Sequence, residues 1–159
     1  MQPLFEIVDV VPLDGLGFDR GSEVKVSLSL TRRWQMEWAA LFEIKREEGE
    51  TETEHNKRIY SGQYDLAAEV IKSVVIKRGK ERWERSPVTS ADIRELDEEI
   101  NELVLELVMS EIQLRHATRL LQAKYTFRSE RERVLQRRKE NEGKASDKRD
   151  KPADDDQAD

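Results

Sequence analysis

The chain has 159 residues, of which 36% are apolar and 39% charged, and its net charge is −6. That length suits one domain with a modest core, the charge content resembles long-helix composition more than a compact catalytic domain, and the negative sign argues against general nucleic-acid binding, which needs a basic face. Without cysteine there is no disulfide framework, thiolate nucleophile or thiolate metal site. No export signal opens the sequence and no apolar run approaches the roughly 20 residues that cross a bilayer, so a cytoplasmic protein without membrane contact is expected.

Leu4 to Val11, rich in valine and isoleucine, reads as a short strand ended by Pro12. Gly15, Gly17 and Gly21 punctuate a loop, after which Val24, Val26, Leu28 and Leu30 alternate with Lys25, Ser27 and Ser29 as in a half-buried strand. At Thr31, an N-cap candidate, the period changes: Trp34, Trp38, Leu41, Phe42 and Lys45 lie at helical spacing. Glu47 to Glu54 is too charged to pack and predicts a mobile acidic loop. A second helix is expected from about Gln63, with Leu66, Ala67, Val70, Ile71 and Val74 as its stripe and Gly79 closing it after Lys77 and Arg78. Lys80 to Arg85 then forms a polar loop carrying Trp83.

The longest feature is a helical run from the start signal Val88-Thr89 to about Glu140. Thr89 and Asp92 make its capping box, with Val88 set to staple on Ile93. Ile93, Leu96, Ile100, Leu103, Leu107, Ser110, Leu114, Ala117 and Leu121 follow steps of three and four, the seam of a helix packing lengthwise on another. A helix of roughly 50 residues reaches about 75 Å, further than a small domain covers, so part of it must meet another chain or water. Val104, Leu105, Val108, Met109 and Ile112 add a second stripe, which predicts burial on two sides. The expected fold is α+β: a small N-terminal hairpin or sheet packed with two helices, then one long C-terminal helix and a disordered charged tail. The expected boundaries are a domain over residues 1–127 whose long helix begins near 89, a charged helical extension over 128–142 and a disordered acidic tail over 143–159.

Candidate chemistry is sparse. The glycines at 15, 17 and 21 precede a strand, so no helix N-terminus faces a phosphate. Ser22 and Lys25 match an acyl-transfer spacing, yet on a strand they point to opposite faces. His55 and His116 lack partners at ligand spacing and read as surface histidines. Glu98, Glu99, Glu102 and Glu106 lack the Glu-x-x-His pairing of a di-metal bundle and read as a solvated face. No catalytic, metal or cofactor residue is assigned. The candidate partner-binding residues are Trp83, Ile93, Leu96, Ile100, Leu103, Leu107, Leu114 and Leu121, with Trp83 an aromatic anchor in a polar segment. Arg128 to Lys139 is basic but diluted by Glu130 and Glu132.

Taken in order, "RRWQMEWAALFE", "YDLAAEVIKSVV" and "SPVTSADIRELDEEI" give a layout that resembles the tail assembly chaperones of long-tailed bacteriophages over about Phe5 to Leu121. The resemblance implies a non-enzymatic, oligomeric protein that coats the hydrophobic segments of the tape-measure protein and guides tail-tube polymerisation around it in the host cytoplasm. The long charged C-terminal helix and tail depart from the family's pattern. The alternative is a coiled-coil adaptor or scaffold, nucleic-acid-associated through residues 128–139.

Overall fold

The computed structural model describes residues 6–150. It is an α+β protein: β1 (Val8–Pro12), β2 (Glu23–Ser27), α1 (Arg32–Leu41), α2 (Glu52–Val70), β3 (Ile71–Arg78), β4 (Glu81–Arg85), α3 (Ser90–Glu95), one π-helical turn (Leu96–Ile100) and α4 (Glu102–Asp150). The four strands form an antiparallel sheet in sequence order. Both connecting helices, α1 and α2, are inserted between β2 and β3. By its contacts the chain divides into two units, Met1–Ala117 and Thr118–Asp159.

In the first unit, Val24 and Val26 of β2 and Ile71, Val74 and Ile76 of β3 turn one face of the sheet into the core. Trp34, Leu66, Ala67, Val70, Ile93, Leu96, Val104, Val108 and Ile112 join it from the helices. Ser22, buried beside them, accepts from Lys77 N at 2.9 Å and donates to Lys77 O at 3.3 Å, tying the turn before β2 to β3. Lys25 is exposed, so the serine and the lysine do not meet.

Both expected caps form. Thr31 Oγ1 accepts from Trp34 N, and Thr89 exchanges the two bonds of a capping box with Asp92. Five expectations are corrected. The acidic segment holds a helix start: Thr51 and Glu54 make a capping box, so α2 begins at Glu52, its acidic first turn suiting the positive end of the helix dipole. Arg58 bridges Glu47 and Glu50 and holds the Glu50 carboxyl below its usual range. The helix expected through Val74 ends at Val70, because the β-branched residues Ile71, Val74, Val75 and Ile76 pair in the sheet. Gly79, at φ +61°, turns the β3–β4 hairpin, so Lys80 to Arg85 is largely strand, with Trp83 opposite Ile76.

The long helix does not run unbroken from Thr89. After α3 and the π turn, Asn101 adopts an extended conformation (φ −166°, ψ 116°), and its side chain accepts from Leu103 N at 2.9 Å, capping α4. Finally, residues 143–150 continue α4 where disorder is expected; Leu4 and Phe5 of the expected first strand, and residues 151–159 of the acidic tail, lie outside the described residues.

Ile93 is fully buried between these elements. Ile93→Ala is therefore expected to lower the unfolding free energy by about 2–5 kcal/mol, read as a shift of the urea midpoint.

Candidate functional site

Helix α4 carries apolar residues on two opposed faces within the first unit. Val104, Leu105, Val108, Met109 and Ile112 are buried, and Arg115 secures this side by donating to Asp9 Oδ2 at 3.0 Å and to the Val10 carbonyl at 2.9 Å on β1. At steps of four and seven along the opposite face, Leu103, Leu107 and Leu114 are 50%, 43% and 61% exposed. These are three of the predicted seam residues. Other seam residues point inward instead. Ile93 and Leu96 belong to the core, and Ile100 packs half-buried against it.

Trp83 is half-buried as well. Its indole Nε1 donates to Glu95 Oε1 at 3.1 Å, and the Arg85 guanidinium lies over the ring 4.6 Å from its centroid. Arg85 also pairs with Asp92 and Glu95. The anchor that sequence assigns to a partner thus fastens β4 to α3.

Beside the leucine stripe lies an open groove of about 600 Å³, between α1, α2, the π turn and the start of α4. Its apolar lining is Trp38 and Phe42 from α1 and the residue that follows it, Tyr60 from α2, and Leu103, Leu105 and Met109 from α4. Helical spacing explains the α1 side: Trp34, Trp38 and Phe42 recur every four residues and form a ladder, the two indoles stacked at 5.4 Å and Phe42 edge-on at 5.9 Å. Trp34 anchors the ladder by donating from Nε1 to the Leu66 carbonyl at 2.9 Å. Gly62 lets α1 sit close, since a Cβ there would come within 2.5 Å of Leu41 Cδ2. Phe42 and Tyr60 are left 63% and 50% exposed.

The polar lining is one-signed. Asp97, Glu102 and Glu106 stand at the groove with Gln63, Ser110 and Gln113, and no lysine or arginine lines it. Asp97 is held in place by the Tyr64 hydroxyl, which donates to Oδ2 at 2.7 Å. Burial, and then the neighbouring carboxylate, push the Tyr64 phenol well above its ordinary range.

Both histidines are half-buried. His116 Nδ1 lies 3.0 Å from the Leu28 carbonyl, and His55 Nδ1 lies 3.3 Å from a Glu50 oxygen without making a hydrogen bond. Among the described residues no group of three or more histidine, cysteine or carboxylate side chains is placed to hold a metal ion, and no described helix is long and apolar enough to cross a membrane. In the second unit, α4 leaves Leu120, Leu121, Tyr125 and Phe127 exposed, and Arg133 pairs with Glu130 within the basic stretch.

Compared with protein-family models, curated proteins and solved structures, the chain matches none.

Because the folded state holds the Tyr64 phenol protonated above the pH at which a free phenol ionises, its contribution to stability is intact below about pH 10 and is lost as alkali ionises the unfolded chain. The urea midpoint is expected to fall progressively as the pH is raised above about 10, and Tyr64→Phe to shrink that fall.

Proposed function

We propose that this is a non-enzymatic assembly protein that holds an amphipathic helix of a long client, acting as a phage tail assembly chaperone on the tape-measure protein while the tail tube forms. The observation that carries the proposal is the groove: a wet aromatic and aliphatic trough with carboxylates and no cation. Helix-in-groove recognition uses such a trough for the apolar face of a helix, and the carboxylates select a client helix flanked by lysine or arginine. An exposed apolar cluster rimmed by charge is also how a soluble protein keeps an aggregation-prone segment in solution. The particular client is what the resemblance of the sequence layout to tail assembly chaperones implies.

The nucleic-acid alternative draws less support, because Glu130 and Glu132 interrupt the basic stretch and Arg133 already pairs with Glu130.

The test is co-expression with a candidate client, a long helix-rich protein drawn from the native gene neighbourhood of this chain. The native chain is expected to raise the soluble fraction of that client and to co-purify with it. Phe42→Glu, at an exposed position where folding is spared, is expected to abolish both by placing a fourth carboxylate on the apolar wall. A client that stays insoluble with the native chain, or is held equally well by the variant, would overturn the assignment.

A further inference from the structure

The leucine stripe of α4 and the groove are neighbouring surfaces with different chemistry. The stripe follows heptad spacing through Leu103, Leu107, Ser110, Leu114 and Ala117, and in sequence that spacing continues to Leu121. Its three leucines in the first unit face water, while the opposite side of the same helix is in the core. A helix seam of this kind is completed by another helix.

Charge identifies which helix. On α4 the only charged residues ahead of Arg115 are the carboxylates Glu102, Glu106 and Glu111; from Arg115 through Lys139 the helix carries nine lysines and arginines and two glutamates. The acidic stripe of the first unit therefore finds its electrostatic complement in the helix of the second unit of another copy. Parallel pairing would set like charges side by side and stack Lys124 on Lys124 in the seam, which is destabilising. Antiparallel pairing sets acid beside base.

Side-chain size then selects the register. When Leu103 faces the other copy's Leu121, the same alignment places Leu107 against Ala117 and Ser110 against Leu114. Each remaining leucine meets a small residue, so the layers interlock without collision, as close packing demands. Shifting one heptad toward the C-terminus would instead set Leu103 and Leu107 against Arg128 and Lys124, and shifting one heptad the other way would set Ala117 and Leu121 against Ile100 and Leu96, which lie ahead of the break at Asn101 and pack on the core. Ser110 and Ala117, which look like weak points in a parallel zipper, become the sockets of an antiparallel one.

We infer that the chain forms an antiparallel homodimer through α4, with Leu103 facing Leu121, Leu107 facing Ala117 and Ser110 facing Leu114 of the second copy. The seam shares Leu103 and Ser110 with the groove wall but leaves Phe42 and Tyr60 outside it, and because it is measured on the chain alone its failure is distinguishable from failure of the client reading.

The absence of native cysteine makes the test direct. In the full chain, Leu103→Cys and Leu121→Cys are introduced singly and together at these exposed positions, and each protein is oxidised mildly. The double variant is expected to convert to disulfide-linked dimer, and a mixture of the two single variants to link to each other, whereas neither single variant alone links above the level seen in denaturant. Leu107→Glu is expected to shift the native sedimentation from dimer to monomer with unchanged helical circular dichroism. Linking of either single variant to itself would overturn the antiparallel arrangement. A native chain that sediments as monomer up to about 100 μM, well above the micromolar range of specific association, would overturn the dimer and assign the stripe to a different protein.

Discussion

The outer surface of α4 depends on how its inner face is held. Val104, Val108 and Ile112 have no exposure at all, and Arg115 fixes the same side to β1 through Asp9 and the Val10 carbonyl. With that face committed, rotation of the helix about its axis would bury Leu103, Leu107 and Leu114 only by bringing polar residues into the core. The leucines are therefore held outward by the packing behind them. Asn101 makes this commitment possible: its extended backbone ends the π turn and lets α4 start with a phase of its own, capped by the Asn101 side chain. Had one helix continued from Thr89, the residues from Ile93 to Leu121 would have formed a single seam, as their spacing suggests.

That break also explains what could be read from the sequence and what could not. The caps at Thr31 and Thr89 were legible because each threonine stands just ahead of a periodic apolar run. The Thr51–Glu54 box carries the same signal, but its acidic surroundings favour a loop when composition is weighed before capping. The spacing from Leu66 to Val74 crosses an element boundary without interruption, and only the β-branched character of Ile71, Val74, Val75 and Ile76 marks the change from helix to strand. β4 offers one apolar residue, Trp83, in five, which leaves no alternation to detect. Asn101 is invisible to periodicity because the three-four steps pass straight over it.

The functional surface divides in the same way. Leu103, Leu107 and Leu114 were legible as an apolar stripe, since they lie on one helix. Spacing could not separate them from Ile93 and Leu96, whose burial depends on the chain turning at Asn101. The groove lay beyond sequence reasoning altogether: Phe42, Tyr60 and Met109 come from three segments, and their meeting is a consequence of α1 and α2 being inserted between β2 and β3. The one hint was the repeat of Trp34, Trp38 and Phe42, which reads equally well as core.

The charge pattern of α4 admits a local explanation that can be weighed against pairing between copies. Acid near a helix N-terminus and base near its C-terminus both favour the macrodipole, but that effect fades within the first and last turns. Glu102 lies within its reach; Glu106 and Glu111 do not, nor do Lys124 and Arg128, which are many residues from the end of the described helix at Asp150. Pairs four residues apart account for Glu111 with Arg115, worth only a few tenths of a kcal/mol on an exposed helix. What neither effect requires is separation of the two signs into blocks, since alternating charges would serve solubility and local pairing equally well. Blocks on a helix that also exposes heptad-spaced leucines have a physical use when a second helix lies alongside in the opposite direction, where each block meets its complement and the reverse orientation is penalised.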